Sequence, residues 1–374
     1  MRISSWIKGR NYRKRARCRK RKRFDYGPAH NKPGDTAMMK RFFTICFVLS
    51  LFLSLSSAET RSWWSVYFTT PGRTAVGRLN PEEALVRLIA EARSSFCGAF
   101  YDIDSEKISR ALIDAARRGV DVRLVTERDN ADTKEVARLR KNGIHPVTDN
   151  RRGFMHNKFA VIDGNTVWTG SYNITDNGSR KNNNNAICIA SSELADIFLK
   201  EFSEMHDSGI FGNRKEFMAF PFFQKKYYVK IDDSHINAYF SPEDDIERII
   251  IKRIEKAEAS IHFMAFSFTS EGIGEAMIKK FKEGVPVYGL FEKRDTRSKY
   301  SEYTKMKLEG LPVKTDRNRY AMHHKVIVID GCRVITGSYN FSRNASRRND
   351  ENVVMIDNRK IADSYLKEFY LLYR

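Results

Sequence analysis

Met155-His156-Asn157-Lys158-Phe159-Ala160-Val161-Ile162-Asp163-Gly164 returns as Met322-His323-His324-Lys325-Val326-Ile327-Val328-Ile329-Asp330-Gly331, and each copy runs on to Thr-Gly-Ser-Tyr-Asn. His323 follows His156, Lys325 follows Lys158 and Asn340 follows Asn173 by the same 167 positions. A histidine and a lysine two residues apart, then a hairpin and a small polar loop, do not recur in register by accident. The duplication implies that two copies build one active site.

Lys158 to Ile162 and Thr166 to Thr169 are β-prone runs joined at Asp163-Gly164, a dipeptide suited to a two-residue hairpin turn. Such a turn would set Ser171 opposite His156, and Ser338 opposite His323. Alternation sends His156 and Lys158 to one face, so imidazole, ammonium and hydroxyl converge with Asn173 just beyond. Asp163 and Asp330 fall on the order of 16 Å from the lysines along the strand, which reads them as turn formers. The other reading is that each carboxylate orders a neighbouring chain segment.

These residues resemble the phospholipase D superfamily, whose signature is His-x-Lys-x4-Asp-x6-Gly-Ser-x-Asn. Both copies fit it without a gap, and the resemblance covers roughly residues 64 to 374. It implies an α/β fold of two pseudo-twofold-related phospholipase D-like domains, each a mixed β-sheet flanked by helices. It also implies a catalytic set of His156, Lys158, Asp163, His323, Lys325 and Asp330. Ser171, Asn173, Ser338 and Asn340 would bind substrate, one histidine would attack phosphorus, and the other would protonate the leaving alcohol. The chemistry suits the residue types: a covalent intermediate divides the displacement of a poor electrophile into two steps, imidazole serves as nucleophile and acid near neutral pH, and lysines offset phosphoryl charge. No metal and no cofactor is expected.

Family members place a carboxylate or an amide after the motif, bonded to the distal histidine nitrogen. Glu351 and its counterpart Asn184 occupy that position here. A carboxylate favours the imidazolium, so pairing Glu351 with the histidine of its own copy makes His323 the general acid and leaves His156 as the neutral nucleophile.

Outside the motifs, each half follows one plan. Strand Phe96 to Phe100, helix Ser105 to Arg118, strand Val120 to Val125 and helix Thr133 to Asn142 precede the first hairpin. Ser260 to Phe268, Gly272 to Glu283, Val285 to Phe291 and Ser301 to Glu309 repeat them. Alternating elements favour a mainly parallel or mixed sheet covered by helices.

The expected organisation is a basic leader over 1–37, a signal peptide over 38–58, a first domain over 59–209, an aromatic and basic linker over 210–234, and a second domain over 235–374. Residues 38–58 have the charged start, apolar middle and small-residue end of a secretory signal, so export to the periplasm or medium is expected, with anchoring by an uncleaved signal as the alternative. The first 58 residues carry 15 Lys+Arg and 2 Asp+Glu, so +13 of the chain's +20 belongs to the leader and only +7 to the remainder. That is weak support for nucleic acid as partner. Cys97, Cys188 and Cys332 cannot all pair and read as free thiols. The aromatic and basic residues of the linker, and Trp63 and Trp64, suit either a lipid interface or packing beneath the domains.

The sequence thus points to a phospholipase D-type hydrolase acting on the head-group phosphodiester of a phospholipid at a membrane surface. A nuclease of the same fold and a phosphatidyltransferase resembling cardiolipin synthase are the alternatives. Because both motifs lie in one chain, a monomer suffices.

Overall fold

The structure is a computed structural model describing residues 62–71, 79–151, 153–212, 214–215 and 227–374. The basic leader, the signal segment and most of the aromatic linker lie outside the described residues.

The first lobe runs β1 (Trp64–Phe68), α1 (Pro81–Glu91), β2 (Ser95–Phe100), α2 (Glu106–Arg117), β3 (Asp121–Thr126), α3 (Lys134–Lys141), β4 (Val147–Thr148), β5 (Lys158–Ile162), β6 (Thr166–Gly170), α4 (Asp176–Arg180), β7 (Asn185–Ala190) and α5 (Ser192–His206). The second runs β8 (Tyr228–Ile231), β9 (Ser234–Ser241), α6 (Ile246–Ile254), β10 (Ile261–Ala265), α7 (Glu271–Lys282), β11 (Val287–Phe291), α8 (Glu302–Leu308), β12 (Val313–Thr315), β13 (Lys325–Ile329), β14 (Arg333–Gly337), α9 (Arg343–Arg347), β15 (Glu351–Asp357) and α10 (Arg359–Tyr373). Hydroxyl caps start the expected helices: Ser105 accepts from the Ile108 N–H, Thr133 from Val136 and Ser270 from Ile273.

Each lobe holds one mixed sheet. The strand order β1-β7-β6-β5-β2-β3-β4 is repeated as β9-β15-β14-β13-β10-β11-β12, with β8 added at the edge beside β9. Only β2, β3 and β4, and their counterparts β10, β11 and β12, run parallel. The motif strands β5 and β13 are central and buried along their whole length, which is why their apolar runs are continuous rather than alternating.

Three apolar cores separate the layers. α1, α2 and α3 cover the outer face of the first sheet through Leu85, Leu112 and Leu139. α6, α7 and α8 cover the second through Ile250, Met277 and Met306. Between the lobes a third core joins Phe159, Phe198 and Phe202 to Val328, Tyr365 and Phe369, so α5 and α10 are buried between the two sheets. Trp63, Trp64 and Phe211 also pack against this core. Cys97, Cys188 and Cys332 form no disulfide among the described residues.

The hairpin differs from its expected form by one residue. Ile162 pairs with Thr166 and Ile329 with Arg333, so each turn contains three residues, not two. Asp163 and Asp330 adopt left-handed φ values of 50° and 54°, and each is followed by a left-handed glycine. A one-residue slip moves every pairing, so Ser171 does not stand opposite His156, nor Ser338 opposite His323.

Candidate active site

The residues that enter each motif strand are gripped by the other lobe. Met155 bridges Asp350, and Asn183 bridges Met322, both in parallel fashion. The His156 N–H donates to the Asp350 carbonyl at 2.9 Å and the His323 N–H to the Asn183 carbonyl at 2.8 Å. Each histidine is thus fixed in its main chain by the segment leading into the opposite lobe's β15 or β7.

Their side chains cross over as well. Glu351 Oε2 lies 2.7 Å from His156 Nδ1. His323 Nδ1 lies 2.9 Å from Asn184 Oδ1 and 3.0 Å from the Ser171 carbonyl. The pairing expected within one copy is therefore corrected: Glu351 orients His156, and Asn184 orients His323. A carbonyl oxygen only accepts, so Nδ1 of His323 carries the hydrogen, and Nε2 is left with its lone pair. The Asn184 amide is locked in this sense because its Nδ2 donates to the Gly178 carbonyl at 3.0 Å.

The serines also have a different place from the one expected. Ser338 Oγ donates to Glu351 Oε2 at 2.7 Å and accepts from the Asn352 N–H at 2.9 Å. Ser171 Oγ donates to Asn184 Oδ1 at 3.0 Å and accepts from the Asn185 N–H at 3.1 Å. Fully buried and occupied, both hydroxyls hold the orienting side chains and do not reach for a ligand. The motif asparagines differ: Asn173 Oδ1 and Asn340 Oδ1 are buried with no hydrogen-bond partner among the described residues.

Asp163 and Asp330 stand apart from this cluster. The Asp163 carboxylate accepts from the N–H groups of Arg93, Ser94 and Ser95 at 3.1, 2.8 and 3.1 Å, and from the Ser94 hydroxyl. Asp330 accepts likewise from Glu258, Ala259 and Ser260. Burial works against the Asp163 anion, but these donors outweigh it and hold its pKa below the usual value. Each aspartate both forms the turn and orders the segment entering β2 or β10.

Sequence reading missed the groups behind the histidines. The Tyr101 ring packs edge-on against His156 with centroids 4.8 Å apart, and Phe266 against His323 at 4.5 Å. The same rings lie 4.9 and 4.8 Å from the ammonium groups of Lys158 and Lys325. Their common signal is an aromatic directly after β2 or β10. Asn157 and Asn352 bond across the lobes at 2.9 Å, and His324 and Asn185 do so at 3.0 Å. These four are also pairwise 167 apart, a repeat that points to them once it is followed beyond the signature.

The site is a buried pocket of two histidines and two lysines. His156 and His323 are only 8% and 7% exposed, and Lys158 and Lys325 1% and 2%. The lysine ammonium groups donate to the carbonyls of His156 and His323 at 2.8 and 3.0 Å, and Lys325 Nζ also lies 3.2 Å from His323 Nε2. Burial pulls the Lys158 pKa down to about 7 against the opposing pull of Glu351 and Asp102. Burial, then Lys158, lowers Lys325 far from its usual range. Both imidazoles are pushed well below ordinary histidine, first by burial and then by the two lysines. Burial raises Glu351 to about 8 despite Lys158, Ser338 and Asn349. Two desolvated lysine amines beside two neutral imidazoles gain protons when a negative charge enters, which makes the pocket an anion's binding place. Of possible metal-binding groups among the described residues, only Glu201, Glu204 and Glu243 gather their oxygens, and the Lys215 ammonium already lies on Glu201.

The family described as "Cardiolipin synthase, PLD-like domain" matches residues 85–206 and 250–372, one copy in each lobe. The chain belongs to the phospholipase D superfamily. Its relatives in that superfamily include the phospholipase D of Rickettsia prowazekii, 35% identical over 149 residues that span 39% of this chain and 73% of that one. The human mitochondrial cardiolipin hydrolase is 32% identical over 136 residues, 36% of this chain and 52% of that protein. The fold of this phospholipase D-superfamily chain is shared with the phosphatidylserine synthase of Haemophilus influenzae, with a TM-score of 0.58, 14% identity, and 77% and 82% of the two chains covered. As a member of the superfamily the protein is a phosphodiesterase.

Proposed function

We propose that the protein hydrolyses the head-group phosphodiester of phospholipids through a phosphohistidine, with His156 as nucleophile and His323 as acid and base. The crossed pairing carries this assignment. Attack by His156 Nε2 forms a P–N bond and leaves a cationic imidazole that has no proton to lose at that nitrogen. Glu351, 2.7 Å from its Nδ1, offsets that charge. The acid ends its step neutral, so the Asn184 amide suffices to orient His323.

As the P–O bond to the head group breaks, His323 Nε2 gives its proton to the leaving oxygen. The same nitrogen then takes a proton from water, whose oxygen attacks phosphorus, breaks the P–N bond and releases phosphatidic acid. Lys158 and Lys325 turn from the histidine carbonyls to the non-bridging oxygens, to which the Nδ2 groups of Asn173 and Asn340 would also donate. The bound diester's negative charge raises the depressed pKa of His323, so the acid is charged when it is needed.

The phospholipase D relatives and the modest charge of residues 59–374 support lipid as substrate. Export through 38–58 and a working monomer belong to the same proposal; the secreted protein's N-terminal sequence and its mass in solution test them. The second reading is a nuclease. Exposed Arg347 and Arg348, with their counterparts Arg180 and Lys181, lie beside the segments that grip the histidines, and paired cations suit a chain of phosphates. Purified protein offered mixed phospholipid vesicles and plasmid together with EDTA should release head group and phosphatidic acid. Nicked plasmid without head-group release would move the assignment to nuclease, and a phosphatidyl ester of an added alcohol would move it to transferase. Quenching with denaturant at alkaline pH, where the P–N bond survives, should find the phosphatidyl group on His156; the same group on His323 reverses the roles.

A further inference from the structure

The two lobes hold their histidines with one backbone plan but with different charge. Beside His323, the Asn183 N–H donates to the Ala321 carbonyl at 2.8 Å, and its side-chain oxygen accepts from Asn318 Nδ2 at 2.7 Å. Beside His156, the Asp350 N–H donates to the Phe154 carbonyl at 2.8 Å, and a carboxylate replaces the amide. Arg151, the counterpart of Asn318, donates to that carboxylate. Two further donors have no equivalent on the other side among the described residues: the Gly212 N–H at 2.8 Å and the Lys215 ammonium at 3.0 Å. Both come from the segment that joins the lobes.

Lys215 is 4% exposed and its second partner is Glu201, which lies within reach of the Asn157 amide beside His156. A buried ammonium costs desolvation and persists where its partners are fixed by it. A nucleophile must present its lone pair opposite the leaving oxygen within narrow limits of distance and angle, whereas an acid delivers its proton over a wider range. The charged clamp lies on the side where the tighter tolerance applies.

We propose that Lys215, delivered by the inter-lobe segment, is a positioning residue for His156: it fixes Asp350, whose carbonyl holds the His156 N–H and whose neighbour Glu351 holds its Nδ1. The inference rests on His156 being the nucleophile. Asn318, the neutral counterpart of Arg151, serves the acid.

The test compares a p-nitrophenyl phosphodiester, whose leaving group needs no proton, with an alkyl phosphodiester. Lys215→Met should lower kcat about tenfold or more on both substrates with KM changed less than about twofold, as expected for misplacement of a reacting group. Lys215→Arg should recover most of the rate, and Asp350→Asn should match Lys215→Met without adding to it. Asn318→Ala should slow the alkyl ester more than the p-nitrophenyl ester. Spectra of protein labelled with 15N-histidine should show the His156 signals shifted or broadened in Lys215→Met and those of His323 unchanged. Wild-type kcat in Lys215→Met, or equal disturbance of both histidines, would overturn the inference. Should Lys215→Met fail to fold, Lys215→Arg and Asp350→Asn carry the same comparison. If the wild-type protein cleaves neither ester, the functional reading falls, and the spectra still decide whether Lys215 positions His156.

Discussion

Glu351 is the side chain on which the chemistry turns. It is fully buried, bonded to His156, Ser338 and Asn349, and belongs to the opposite lobe from the histidine it serves. Replacing it by Gln keeps the shape and removes the group that can ionise beside the cationic imidazole, so kcat should fall about 100-fold or more with KM little changed; a variant within a few-fold of wild type would sink its role. The lysines give a second prediction. With its pKa depressed from 10.5 to about 7, Lys158 is largely neutral in the empty site at pH 8, and a bound oxyanion restores its charge. Vanadate binding at pH 8 should therefore take up protons, read by calorimetry in buffers of different ionisation enthalpy; proton release would refute this picture. The linkage has a definite sign. A depressed lysine contributes stability that is present above 10.5 and lost as pH falls through about 7, while Glu351, raised to about 8, contributes stability that is lost as pH rises through that value. The two changes offset each other near pH 7 to 8.

At the level of elements, the hairpins show how a motif residue can be indispensable without touching substrate. Asp163→Ala and Asp330→Ala strip the acceptor from three main-chain N–H groups each, and each should cost about 1–3 kcal/mol in urea unfolding. Their kcat at a temperature where both remain folded should stay within about threefold of wild type, since no group touching the substrate has moved. The motif glycine has an equally local reason. Gly170 has φ of 150°, and a Cβ there would come within 2.4 Å of the Asn185 carbonyl oxygen. Gly170→Ala should push β6 from β7, destabilise the lobe and lower activity together, seen as a lower melting temperature. Element identities were legible in sequence because periodicity and hydroxyl caps agree at Ser105, Thr133 and Ser270. The register was not. Asp-Gly permits a two- or a three-residue turn, and the choice is made by main-chain donors at Arg93 to Ser95, about 70 positions away.

On the scale of the whole molecule, the interface between lobes is a polar layer set into an apolar core. Thr169 donates to Asn352, which reaches Asn157, and Thr336 donates to Asn185, which reaches His324. Removing one member leaves buried partners unpaired, so Asn352→Ala should destabilise by about 1–3 kcal/mol and couple strongly to Asn157→Ala in a double-mutant cycle. Strict additivity of the two would contradict the network. The sequence by itself determined the duplication, the α/β plan of each lobe and the histidines, lysines and asparagines of the site, because a constant spacing of identical residues survives without coordinates. Only the tertiary structure decided which carboxylate or amide serves which histidine, that the serines face inward to hold those groups, and that Lys215 reaches Asp350. The histidine contacts cross a pseudo-twofold axis, and chain order carries no information about which lobe supplies the partner.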